Sequence, residues 1–198
     1  MQEEEKRKYF LIRRDMDLEK TPLRVWVNEK LLRKDFPADH KLPFFGLKFP
    51  EPPRIRFDRK GRTRPLRDAD DILLGIWLVS DRLKSLLERM DAEAFAFVRA
   101  EVDYSNFDEP GPGYWFCDFV RFLDCVDEGR SKIIYQKDIS WKNYINLVRV
   151  EMKPEIVGDA RAFRLTYSPL REVVDDVLVG AMTTTGITGF EFVPLQED

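Results

Sequence analysis

Residues 72–83 read Ile72-Leu73-Leu74-Gly75-Ile76-Trp77-Leu78-Val79-Ser80-Asp81-Arg82-Leu83, and this passage decides the fold class. Ile72 to Val79 is an apolar run of strand length. Ser80 stands where a helix N-cap belongs, and Asp81 falls in the first turn, where the helix dipole favours a negative charge. Leu83, Leu86, Leu87 and Met90 recur at i, i+3, i+4 and i+7, the apolar stripe of an amphipathic helix. Phe95 and Phe97 then alternate through Val102 as the next strand.

Working outward, Lys8–Arg14 and Leu23–Val27 predict strands upstream. Downstream, Pro110-Gly111-Pro112-Gly113 marks a turn. Strands are expected at Tyr114–Leu123, giving way to another short element near Val120, and at Ile133–Tyr135, Leu147–Met152, Phe163–Tyr167 and Ile187–Val193. Pro169 is read as opening a helix that runs to about Met182. Between Phe36 and Pro65 prolines recur, which argues against a long helix or a central strand there. The interspersed Phe44, Phe45, Leu47, Phe49, Ile55 and Phe57 argue equally against a free linker, so an irregular segment pinned by its aromatics is expected. The fold class is α+β: a single domain, a mixed or mainly antiparallel sheet, and two principal helices at about 80–91 and 169–182. A shift of 95 residues lays Val79-Ser80-Asp81 on Val174-Asp175-Asp176, Leu83 on Leu178, and Phe95, Phe97 and Val98 on Phe190, Phe192 and Val193. Two amphipathic helix–strand units share such periodicity with or without common descent.

The chain has 198 residues, 43% hydrophobic and 35% charged, enough for one domain with its own core and too apolar for a disordered chain. No apolar run approaches the roughly 20 residues of a membrane helix, so no membrane partner is expected. The start, Met1-Gln2-Glu3-Glu4-Glu5-Lys6, lacks the basic and apolar regions of a secretory signal, which reads as a cytoplasmic protein. The net charge of −3 conceals a division: residues 1–67 carry 19 Lys+Arg and 11 Asp+Glu, and residues 68–198 carry 14 and 25. The expected organisation is therefore a basic, proline- and aromatic-rich segment, 1–67, packed on an acidic body, 68–198.

Catalytic and metal constellations are scarce. His40, flanked by Asp39 and Lys41, is the only histidine, which removes multi-histidine metal sites and leaves Ser-His or Cys-His catalysis only if His40 itself is the base. Cys117 and Cys125 have neither C-x-x-C spacing nor a second pair, and sit among apolar neighbours as buried thiols do. There is no P-loop, and Gly111-Pro112-Gly113-Tyr114 lacks the third glycine of a dinucleotide fingerprint. No cofactor and no metal are expected.

Two charged stretches stand out. Arg54, Arg56, Arg59, Lys60, Arg62, Arg64 and Arg67, with Phe57 interleaved, have the composition of a nucleic-acid contact, or of a loop pairing with the acidic part of the same molecule. Glu101, Asp103, Asp108, Glu109, Asp118, Asp124, Asp127 and Glu128 are offset only by Arg121, with Tyr104, Phe107, Tyr114 and Trp115 among them. Acids that steer and aromatics that anchor suit a basic protein partner. The alternative is aromatics in the core and acids facing water. The candidate partner-binding residues are Glu101, Asp103, Tyr104, Asp108, Glu109, Asp124, Asp127 and Glu128. The carboxylates about Asp118 are also the candidates for acid–base chemistry.

Five segments carry a resemblance: Leu78-Val79-Ser80-Asp81-Arg82-Leu83; Gly113-Tyr114-Trp115-Phe116; Asp124-Cys125-Val126-Asp127 with Ser131; Phe163-Arg164-Leu165; and Gly186-Ile187-Thr188-Gly189-Phe190-Glu191-Phe192-Val193-Pro194. In this order and spacing they resemble a family of bacterial immunity proteins, the eleventh numbered immunity family of polymorphic toxin systems, formerly a domain of unknown function. The resemblance covers about residues 70–195. One departure is Asp118, where the family's pattern tends to an amide. The resemblance implies a non-enzymatic protein, encoded beside a secreted toxin and binding it tightly. A cognate toxin of basic nuclease or deaminase type would fit the acidic surface. The competing function is a nucleic-acid module or an enzyme, using residues 54–67 or the carboxylates near Asp118.

Overall fold

The strand–cap–helix passage forms as read, with one revision that changes the topology. The computed structural model describes residues 7–16, 24–33, 48–58, 66–73, 75–105 and 107–195. Its strands are β1 (Tyr9–Arg14), β2 (Arg24–Trp26), β3 (Arg54–Phe57), β4 (Ala69–Leu73), β5 (Ile76–Ser80), β6 (Phe95–Asp103), β7 (Tyr114–Phe119), β8 (Phe122–Leu123), β9 (Lys132–Tyr135), β10 (Tyr144–Arg149), β11 (Ala162–Leu165), β12 (Ser168–Asp175) and β13 (Phe190–Pro194). Its helices are α1 (Glu29–Leu32), α2 (Asp81–Asp91), α3 (Pro154–Val157) and α4 (Asp176–Thr184). The apolar run at 72–79 is thus two strands. Gly75, at φ +81°, reverses the chain, and β4 and β5 pair antiparallel.

The strands form a six-stranded sheet, β2-β3-β6-β7-β5-β4, a five-stranded sheet, β13-β1-β12-β11-β8, and a two-stranded ribbon, β10-β9. Pairing is antiparallel except for β3 with β6 and β8 with β11. The class is α+β and mainly antiparallel, but two sheets stand where one was expected. Two sequence expectations fail. Ser168–Asp175 is a strand, not the start of a helix, because Glu172, Val173, Val174 and Asp175 are all buried between the strands on either side, and the β-branched pair suits that setting. The helix begins only at Asp176, capped by Asp175. Arg54–Phe57 is a strand inside the six-stranded sheet despite the nearby prolines. Pro50, Pro52 and Pro53 precede it rather than interrupt it, and Ile55 and Phe57 turn inward. His40, Phe44, Phe45 and Leu47 lie outside the described residues, as do Arg59, Lys60, Arg62 and Arg64.

The 95-residue echo corresponds to repeated architecture. β5 and β6 run parallel with β7 between them, and α2 is the crossover; β12 and β13 run parallel with β1 between them, and α4 is the crossover. Both are split β-α-β units. The caps coincide under the same shift. Ser80 Oγ accepts from the Leu83 amide at 3.2 Å, and Asp175 Oδ1 accepts from the Leu178 amide at 2.8 Å, each satisfying one of the amide donors a helix start leaves open. α2 and α4 pack on each other. Leu83, Leu86, Leu87, Leu178 and Met182 share a core with Trp77, Val79, Cys117 and Phe119 of one sheet and Ile12, Ala162 and Val174 of the other. Each such buried aliphatic contributes roughly 2 kcal/mol of transfer free energy. The outer face of each sheet carries a second cluster. One lies around Ile55, Phe57, Leu78 and Phe116; the other, around Leu11, Phe163 and Val173, is roofed by Cys125, Val150, Met152 and Tyr144. The first 67 residues supply the middle strand of one unit and two strands of the six-stranded sheet.

Candidate functional site

The structure divides the eight candidate residues between the two sheets. Glu101, Asp103, Tyr104, Asp108 and Glu109 lie at the end of β6 and in the loop after it; Asp124, Asp127 and Glu128 follow β8. In the first group, Glu101 is the register partner of Arg54, and Asp103 that of Arg56. Opposite charges across neighbouring strands are mutually stabilising. The Ser105 hydrogen bonds hold the Asp103 carboxyl below its ordinary range, with a smaller pull from Arg56. Two cations of the basic stretch therefore neighbour two acids of the candidate surface in the strand register, while the Arg54 guanidinium itself pairs with Glu51 at 3.0 Å. Tyr104 is half-buried: it stacks on Phe57 at 5.7 Å, and its hydroxyl donates to the Pro112 carbonyl at 2.6 Å. Tyr114 is buried, donating to the Arg67 carbonyl, and the Trp115 indole donates to Asp81 at 2.6 Å with Lys84 over its ring. Asp108 and Glu109 are exposed, with no ion pair among the described residues.

The second group is occupied locally. Asp127 Oδ1 accepts from the amides of Gly129 and Arg130, closing a turn. Asp124 accepts from the Tyr167 hydroxyl at 3.3 Å. Glu128 takes Lys142, the Tyr144 hydroxyl at 2.7 Å and the Tyr135 hydroxyl at 3.0 Å. These donors, Lys142 first, pull its carboxyl down to about 2. Glu128 latches the β9–β10 ribbon onto the body.

Asp118, the centre of the acid–base alternative, is fully buried in β7. Its carboxylate lies 3.0 Å from the Arg164 guanidinium, which also meets Glu172 at 2.9 Å and the Gly75 carbonyl. One cation thus serves two buried carboxylates. Burial pushes Asp118 up to about 7 against the pull of Arg164, and raises Glu172 as well. This triad joins β7 to β11 and β12, and so ties the two sheets together. Other ion pairs also join a buried acid to a cation distant in sequence: Arg7 with Asp175 at 2.8 Å, Arg24 with Asp70 at 2.8 Å and Arg14 with Asp70 at 3.3 Å. Cations of the basic third are spent on buried acids of the rest. Among the described residues no cluster of three metal-ligating side chains occurs.

A surface that sequence reasoning passed over is the ribbon itself. Trp141, in the β9–β10 connection, is 63% exposed, and Ile134, Tyr135, Ile145 and Val148 are exposed on the strands. The signal was present: residues 130–149 hold five cations, Arg130, Lys132, Lys137, Lys142 and Arg149, against one acid, Asp138, inside the acidic part of the chain. The acidic excess of residues 68–198 as a whole masks it.

A family model described as an immunity protein family (Imm11) matches residues 8–197, so the match takes in the basic segment as well as the span that carries the five motifs. No curated protein matches the chain.

Proposed function

The chain belongs to the Imm11 immunity protein family, and from that premise we propose that it acts in the cytoplasm by binding a cognate antibacterial toxin and neutralising it through direct protein–protein contact. Membership carries a toxin-immunity role and implies a non-enzymatic protein; direct contact is the mechanism proposed for it. Family membership over nearly the whole chain is the observation that carries this reading. Charge adds little, since Asp103, Asp124, Asp127 and Glu128 of the acidic surface that would meet a basic nuclease or deaminase accept hydrogen bonds within the molecule, leaving Glu101, Asp108 and Glu109 as its exposed acids without a side-chain hydrogen bond or ion pair among the described residues. Asp118, inaccessible and committed to Arg164, offers no support for the enzymatic alternative.

Co-expression of the chain with the toxin encoded beside it tests the proposal. Growth is restored and the two proteins co-elute on gel filtration. Continued killing with no complex refutes it.

A further inference from the structure

We propose that the β9–β10 ribbon is the surface that grips the toxin, and that it recognises an acidic protein surface with an apolar centre. This rests on the toxin-binding reading above and adds where the contact lies and what chemistry it requires.

Three observations converge on the ribbon. First, it is amphipathic in an unusual sense. Ile133, Leu147 and Tyr144 face the body and join its core. The opposite face carries Ile134 beside Asn146, and Lys132 beside Arg149. Ile145 and Val148 fall where the register shifts, and both are exposed. Trp141, in the connection between the two strands, is 63% exposed, and Ile134 and Ile145 are about half exposed, at 50% and 51%. Exposed apolar residues scattered singly need no explanation, but Ile134, Ile145 and Val148 on the two strands and Trp141 in their connection gather on one small element, as apolar groups do where proteins make contacts. Tryptophan is the residue most enriched among interface anchors.

Second, Lys132 and Arg149 are direct cross-strand partners of like charge. Such a pair destabilises a hairpin, and neither residue has a carboxylate partner among the described ion pairs. The fold gains nothing from this arrangement; an acidic partner laid across both cations would. Third, the ribbon is held in place. Glu128 latches Tyr135, Tyr144 and Lys142, the Tyr144 amide donates to the Tyr167 carbonyl at 2.7 Å, and the Val150 amide donates to the Leu195 carbonyl at 3.2 Å. A pre-organised element loses little freedom on binding.

The chemistry selects the occupant. Nucleic acid would use the cations and aromatics but would leave Ile134, Ile145 and Val148 against phosphate and water, since bases stack on rings rather than on branched aliphatics. A second copy of the chain would bring two ribbons of net positive charge together. An acidic protein surface with an apolar centre satisfies both the cations and the aliphatics.

The test uses the full chain and the toxin encoded beside it. Trp141→Ala and Ile134→Ser remove exposed side chains, so thermal unfolding stays near wild type, and each weakens toxin binding about 30-fold or more. Arg149→Glu does two opposed things. It raises the thermal midpoint by relieving the like-charge pair, and it weakens binding, chiefly through slower association at low salt. A wild-type complex that survives all three variants with unchanged affinity overturns the ribbon assignment while leaving toxin binding intact. Absence of any wild-type complex overturns the parent reading and this one together. Retention of a single-stranded oligonucleotide at low salt, abolished by Trp141→Ala, would assign the ribbon to nucleic acid and overturn the proposal. A wild-type dimer dispersed by Ile134→Ser would assign it to self-association, with the same consequence.

Discussion

Replacing Asp118 by asparagine removes a negative charge from the interior without removing the partner Arg164 needs. Loss of one member of a buried ion pair ordinarily costs about 3–5 kcal/mol, because the other charge is left alone. Here Arg164 keeps Glu172 at 2.9 Å and the Gly75 carbonyl. What Asp118→Asn removes is the cost of ionising a second carboxylate beside a single cation. Burial raises that carboxyl from 3.8 to about 7, so its contribution to stability is fully present below 3.8 and is lost as pH rises through 7. The whole interval corresponds to about 4 kcal/mol, of which more than half falls between pH 5 and pH 8. At 0% exposure the group has no solvent screening to reduce this. In urea unfolding, with a slope near 2 kcal/mol/M for a chain of this size, the wild-type midpoint should fall by about 1 M from pH 5 to pH 8 through this group. The midpoint of Asp118→Asn should fall by correspondingly less, and should exceed that of wild type at pH 8. If the variant is about 3–5 kcal/mol less stable at both pH values, or keeps the wild-type pH slope, then Asp118 is ionised in the folded state and the reasoning is wrong.

Three further outcomes are expected. Ser80→Ala should cost about 1 kcal/mol, and Asp175→Ala more, because Asp175 also holds Arg7 at 2.8 Å and Arg161 at 3.2 Å; thermal unfolding of both variants, with Asp175→Ser retaining the cap, separates cap from ion pairs. Gly189→Ala should abolish folding or cost several kcal/mol, since φ is +103° and a methyl group would collide with the Ala69 backbone carbonyl; soluble yield and circular dichroism read this directly. Glu128→Gln should flatten the acid limb of stability. The depressed Glu128 carboxyl contributes stability present above 4.5 and lost as pH falls toward about 2, and ribbon amides in the variant should exchange faster with solvent.

Local signals in the chain were reliable where local physics decides. The cap at Ser80, the α2 stripe, β1, β6 and β7 all follow from periodicity and one side-chain hydrogen bond. Pro169 misled because its fixed φ suits a helix start as well as a strand, and only the neighbours on both sides of β12 choose the strand. The Arg54–Phe57 strand was obscured in the same way: its hydrogen bonds go to β2 and β6, elements close by in space and far along the chain. The run at 72–79 could have been divided at Gly75, the one residue in it able to reverse the chain freely.

The candidate site shows the sharper limit. From the sequence alone came the class, α+β, the capped helix–strand echo 95 residues apart, the family resemblance, and the opposed charges of the two parts of the chain. Which of those charges are available to a partner was decided only by the tertiary structure. Arg7 meets Asp175, Arg24 meets Asp70, and Arg164 stands between Asp118 and Glu172. Capping and amphipathic periodicity act over three or four residues and can be read along a chain. Charge pairing acts through space, and its partners here come from strands widely separated in sequence. The acidic body was legible as composition; that the ribbon within it carries cations beside exposed apolar side chains became visible only in the folded chain, where charges far apart in sequence pair with one another.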